Sequence, residues 1–245
     1  MLRYILTSIC LLLTLNVAVA QEGSKDETQK ETAQRASWFK GVILDVDLVE
    51  PLWGVFSTNH QGFNASVSAD IKHAFFPTFL AGYASYDASS DYSHYVEKSP
   101  GYAYKVNGPY FKVGLDFNLI RDKKSTKKCQ PIAALGLRYA FSPYHFEIDN
   151  CTVSRAGWGD NAQFSVDGST FAQWGEFVAS LKAPVYKSLY LGFEGCYKWS
   201  FSPDVKHFSD AQTGNSITVN QTYAPGFGDS KGTCWGMRYF VSFYF

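Results

Sequence analysis

The sequence predicts an all-β fold, an eight-stranded antiparallel up-and-down β-barrel that crosses a membrane, and three observations predict it. The closing segment WGMRYFVSFYF (235–245) alternates strictly, so a strand puts Trp235, Met237, Tyr239, Val241, Phe243 and Phe245 on one wholly apolar face. Seven segments upstream alternate in the same way. The connections between the eight are by turns short and long, as they are in transmembrane barrels. Residues 38–245 contain no apolar run of about 20 residues, the length a spanning helix needs.

The chain opens with Met1-Leu2-Arg3, an apolar run from Ile5 to Leu15, and the small-x-small triplet Ala18-Val19-Ala20. That pattern predicts a secretory signal peptide over 1–20, with a run too short to span. Cys10 lies inside the run and not after a small residue at the cleavage point, which argues against a lipoprotein. Residues 21–37 hold no apolar side chain larger than Ala and predict a disordered periplasmic lead-in. The barrel is assigned to 38–245.

The first strand (41–49) sets Val42, Leu44, Val46 and Leu48 against Asp45 and Asp47. The second (62–72) sets Phe63, Ala65, Val67, Ala69 and Ile71 against Asn64, Ser66, Ser68, Asp70 and Lys72. In the third (78–87), Phe79, Ala81 and Tyr83 oppose Leu80, Gly82 and Ala84, and its faces cannot be assigned. The fourth (109–119) opposes Phe111, Val113, Leu115 and Phe117 to Lys112, Gly114, Asp116 and Asn118. The fifth (131–141) opposes Leu135, Leu137 and Tyr139 to Gly136 and Arg138. The sixth (173–183) carries Glu176, Ser180 and Lys182 on its polar face, and the seventh (189–201) Glu194, Cys196, Lys198 and Ser200. The closing strand contributes Arg238, and its Tyr239, Val241, Phe243 and Phe245 resemble the terminal signal read by the barrel-insertion machinery.

Four segments also resemble a known family: GPYFKVGLDFN (108–118), FFPTFLAGYA (75–84), GLRYAFS (136–142) and APGFG (224–228). They are similar to small Bacteroidota outer-membrane β-barrels classed as a domain of unknown function, with the likeness running over 38–245. The resemblance implies a barrel in the Gram-negative outer membrane, both termini periplasmic. It supplies no activity and no functional residues.

An eight-stranded barrel has an interior that side chains can fill. The inward charges expected there are Asp45, Asp47, Asp70, Asp116, Glu176 and Glu194, balanced by Lys72, Lys112, Arg138, Lys182, Lys198 and Arg238. Buried ions persist when paired and hydrogen-bonded, so a closed ion-pair network is expected, with a gated conduit or small-solute channel as the alternative. Cys196 and Cys234, inward on adjacent strands, are candidates for a disulfide, the alternative being two buried thiols. Cys129 and Cys151 fall at opposite ends of a strand and are not expected to be joined.

No cofactor or metal site is expected, because no HxxxH or CxxC spacing occurs and His60, His94, His145 and His207 fall in different outer loops, with a surface metal or pH-sensitive site alongside Glu147, Asp149 and Asp210 as the alternative. No GxSxG occurs and no His is expected on a strand face beside a Ser. Chemistry is therefore not expected, with a rim-site lipid-modifying enzyme as the alternative. Tyr92, Tyr95, Tyr102, Tyr104, Trp158, Phe164 and Tyr223 offer amphipathic contact area for an extracellular ligand, or simple loop packing. The Lys123, Lys124, Lys127 and Lys128 run suits anionic headgroups or water equally. Lys and Arg total 22 against 22 Asp and Glu, which gives no reason to invoke nucleic acid. The expected partners are outer-membrane lipid and the insertion machinery, and the expected state is a monomer.

Overall fold

A computed structural model of the chain describes residues 38–56, 59–87, 103–120, 130–154, 161–202, 206–209, 216–219, 223–229 and 232–245. The signal-peptide and lead-in expectations, and those on Tyr92, His94, Tyr95, Tyr102, Cys129, Trp158, Asp210 and the 123–128 lysines, lie outside these residues.

The wall is formed by β1 (Phe39–Asp47), β2 (His60–Ile71), β3 (Phe75–Asp87), β4 (Ala103–Asn118), β5 (Ile132–Ser154), β6 (Asn161–Tyr186), β7 (Leu189–Ser200) and β12 (Thr233–Tyr244). Each pairs antiparallel with its neighbour, and β12 returns to β1 to close the barrel. The seam is zipped to the last residue: Val42 N–H donates to Phe245 C=O at 3.1 Å and Phe245 N–H to Val42 C=O at 2.9 Å. Two small hairpins, β8 (Lys206–Ser209) with β9 (Ser216–Val219) and β10 (Tyr223–Ala224) with β11 (Gly228–Asp229), occupy the connection from β7 to β12.

One helix, α1 (Val49–Phe56), follows β1, where the sequence was expected to run as a loop. The Asp47 carboxylate accepts the Val49 N–H at 2.7 Å, capping an orphan donor of the first turn. Pro51 sits in that turn, where no intrahelical N–H partner is lost.

Alternation sorts the wall as expected. Outward positions such as Phe63, Leu115, Leu137, Leu181 and Met237 are exposed, while Arg138, Glu176 and Glu194 on the other face are buried. Strand β3 resolves in the same sense, with Phe79 and Tyr83 outward and Leu80, Gly82 and Ala84 inward. Several strands run further than the alternation implied. Beyond the long-loop end of the apolar belt, β5 carries Tyr144, Phe146 and Ile148 inward and His145, Glu147 and Asp149 outward. The backbone period is unbroken, but the polarity of the two faces is exchanged.

That exchange is coordinated between strands. The last outward apolar residues are Phe63, Tyr83, Pro109, Pro143 and Phe171. Above them Gln61, Ser85, Asn107, His145 and Ser169 are register neighbours from β2 to β6, and Asp87, Lys105, Glu147 and Asp167 follow from β3 to β6. An apolar edge thus gives way to uncharged polar residues and then to charges.

Candidate functional site: a lumen closed twice

The barrel interior holds an ionic lattice between two apolar clusters, a small one of Ile43, Phe76, Ile132 and Ala134 at the short-turn end and a larger plug at the long-loop end. At the centre of the lattice, Arg138 on β5 forks onto Glu194 of β7, its two terminal nitrogens 3.0 and 2.9 Å from the two carboxylate oxygens. Such bidentate pairing is the strong form of a charge-assisted hydrogen bond. The same guanidinium donates to Asp116 Oδ2 at 2.8 Å. Glu194 also accepts from Arg238 at 3.2 Å, and Arg238 donates to Asn64 Oδ1 at 3.1 Å. Arg238 lies 3.9 Å from Asp45, which takes both its oxygens to Lys182 Nζ at 2.9 and 2.8 Å. Six residues, Asp116, Arg138, Glu194, Arg238, Asp45 and Lys182, therefore form one alternating chain of charge across the lumen.

A second pair stands nearer the plug. Lys112 Nζ donates to Glu176 Oε1 at 2.8 Å, and the Trp174 indole N–H reaches the same oxygen at 2.7 Å. A cavity with room for one water lies among Ser68, Asp116, Ser180 and Lys182. Asp116 Oδ1 has no protein partner, and a bridging water there needs polar neighbours of this kind.

Four of the expected network members depart from it. Lys72 is exposed in the β2–β3 turn with φ +56°. β2 ends one residue short of the expected edge, so the chain turns before Lys72 can point inward. Asp47 is buried but serves the α1 cap and accepts the Asn64 amide at 2.6 Å. Asp70 accepts from Tyr244 O–H at 3.0 Å and pairs with His73 of the adjoining turn, a histidine the sequence reading did not use. Lys198 donates to the Gly226 and Phe227 carbonyls at 2.8 and 3.1 Å instead of forming a carboxylate pair.

Those two carbonyls belong to the plug. Pro225 and Gly226 (φ +78°) form a type II turn, closed by Phe227 N–H to Ala224 C=O at 3.0 Å. Ala224, Pro225 and Phe227 are buried, and the Phe227 ring meets Trp174 edge-on at 5.6 Å. Gly226 lies so close against the Tyr110 ring that a β-carbon would collide with it. Tyr104 O–H donates to Tyr223 C=O at 3.2 Å, and the Tyr223 ring stacks on Tyr86 at 4.6 Å. Helix α1 contributes Glu50, whose carboxylate accepts the Tyr110 hydroxyl at 3.0 and 3.2 Å.

Tyr104 thus packs into the mouth because the wall's faces exchange polarity above the belt, and Tyr223 packs beside it because its hairpin folds inward, so neither presents an outer recognition surface. Burial, with Glu50 and Tyr86 nearby, pushes the Tyr223 phenol well above the ordinary value of 10.0. The plug was missed in the sequence, although a Pro-Gly turn flanked by Ala and Phe (APGFG) is a readable signal for an apolar turn. Glu50, Tyr110 and Trp174 carried no comparable signal.

Cys196 and Cys234 are free thiols. In the β7–β12 register Cys196 faces Gly236 and Cys234 faces Lys198, with Arg238 directly opposite Glu194. Two residues of offset leave the cysteines as diagonal neighbours, roughly 7–8 Å apart between Cα atoms, past the reach of about 7 Å for a disulfide.

One histidine does stand on a strand face beside a serine, against expectation. His145 is opposite Ser169, with Nε2 3.1 Å from Asp167 and 3.7 Å from Glu147. The longer β5 and β6 create the pairing. Acyl transfer also needs free N–H donors aimed at an oxyanion, and the amides of a sheet face serve its ladder. Among the described residues no cluster of His, Cys, Asp and Glu is arranged to hold a metal ion.

The family model described as "Domain of unknown function (DUF6048)" matches residues 1–245. No curated protein matches the chain in sequence. Among solved structures, a major outer membrane protein from Thermus thermophilus is similar at 11% identity with a TM-score of 0.46, over 83% of this chain and 99% of that one.

Proposed function

The chain belongs to the DUF6048 family, and from that premise we propose that it is a sealed outer-membrane barrel, non-enzymatic, that acts in envelope structure or in contacts made at its outer surface. The reading is carried by one observation: the wall is apolar outside while its lumen is filled by paired charge and an apolar plug. A wall greasy on the outside calls for hydrocarbon around it. A filled lumen leaves no route for a solute, which disfavours the channel alternative. On this reading the short turns, both termini and the lead-in are periplasmic. The long-loop end, with the protruding β5–β6 hairpin and its outward His145, Glu147 and Asp167, faces outward. Lipid is the constant partner, and any extracellular ligand would meet this hairpin and the loops around it.

The test is an epitope inserted after residue 212, in the connection between β8 and β9, and labelled on intact cells. Labelling without permeabilisation is expected. A tag that labels only after the outer membrane is opened would overturn the proposed orientation. Turnover of phospholipid by the purified protein, lost in Ser169→Ala, would replace this reading with the rim-enzyme alternative.

A further inference from the structure

Helix α1 carries an apolar face that nothing among the described residues covers. Leu52, Val55 and Phe56 are 56, 77 and 87% exposed, and their i, i+3, i+4 spacing places them together. Glu50 and Gly54 share the opposite face. Glu50 reaches into the mouth toward Tyr110, and Gly54 packs against His60 and Gln61 of β2. The helix is therefore held to the barrel along one side only.

The uncovered side continues an apolar surface already present. Leu44, Val46 and Leu48 run outward along β1 directly into α1, each about as exposed as its neighbours at 38, 40 and 39%. The helix also touches β12, where Trp235 and Met237 are 78 and 74% exposed. No charged residue interrupts this surface from Leu48 through Phe56 apart from the inward Glu50. At 1.5 Å per residue an eight-residue helix is about 12 Å long, too short to span and suited to lying in an interface.

We propose that α1 is an interfacial helix whose Leu52, Val55 and Phe56 face is seated in the acyl-chain region of the outer leaflet, so that lipid on one face holds Glu50 over the lumen on the other. Continuity with the belt favours lipid over a second copy of the chain. This inference rests on the membrane-barrel reading and adds a lipid-bound closure to it.

Nitroxide labels at Phe56→Cys and, separately, Val55→Cys test it in phosphatidylcholine–phosphatidylglycerol nanodiscs, with Cys129, Cys151, Cys196 and Cys234 replaced by Ser. Leu137→Cys in the belt and Lys105→Cys above it serve as references. Power saturation with oxygen and with a nickel chelate reads lipid against water. Both α1 labels are expected to match Leu137→Cys, with an oxygen-to-nickel ratio several-fold above that of Lys105→Cys. Labels on α1 that match Lys105→Cys, while Leu137→Cys stays oxygen-rich, would overturn the inference and leave the barrel reading intact. Spin–spin broadening between labels at Phe56 would overturn it in favour of a second copy. A nickel-accessible Leu137→Cys would overturn the membrane reading and this inference with it.

Discussion

Arg138 is where the interior depends most on one side chain. It satisfies Glu194 twice and Asp116 once, so its removal leaves two buried carboxylates short of a partner. Breaking a buried pair from one side costs about 3–5 kcal/mol. Arg138→Ala is expected to lower unfolding stability in detergent by that amount, measured by urea titration, whereas Lys72→Ala, in an exposed turn, should change it by less than about 0.5 kcal/mol. Equal effects at the two sites would mean that the lattice contributes nothing specific. The contrast also locates the limit of sequence reading at this scale. Alternation put Asp45, Lys112, Asp116, Arg138, Glu176, Lys182, Glu194 and Arg238 inward correctly, because period 2 fixes the face. It failed at Lys72 because a single residue at a strand edge decides whether the period still applies.

Among the elements, the β10–β11 turn is the one whose attachment can be followed directly. It is held by Lys198, by the Tyr104 hydroxyl and by the stack of Tyr223 on Tyr86. The raised Tyr223 phenol means that the folded plug favours the neutral form. The stability it contributes is full below the ordinary phenol value of 10.0 and is lost as pH climbs through the raised one. Alkaline titration by tyrosinate absorbance, wild type against Tyr223→Phe, is expected to assign a phenol above the ordinary value to this residue. A Tyr223 that titrates at the ordinary value would mean the turn does not bury it. The strand lengths were legible in part. A search for outward apolar residues stops at Pro143 on β5, since beyond it the apolar set (Tyr144, Phe146, Ile148) moves to the inner face. The change of polarity at constant period is itself a sequence signal, and on the membrane-barrel proposal it marks where the outside of the wall passes from hydrocarbon to water. Helix α1 was not legible, because VEPLWGVF is short and its capping Asp47 reads equally well as a strand residue.

At the level of the whole molecule, strand number and closure followed from β12 and from the alternation of short turns with long connections. The ion-pair closure was expected, but the apolar plug was not, because it depends on which loop folds inward. On the sealed-barrel proposal the two seals act in series: the plug, with Trp174, Tyr110 and Phe227, would block the mouth, and the Asp116-to-Lys182 chain of charge the lumen beneath. Loss of the plug alone would leave the second in place. The most direct measurement is ionic current through the purified protein in planar bilayers, with insertion verified on the same preparation by heat-modifiable migration. A closed wall whose described interior is occupied by paired charge and an apolar plug predicts no stepwise conductance from verified insertions. Reproducible ohmic steps would contradict the sealed barrel.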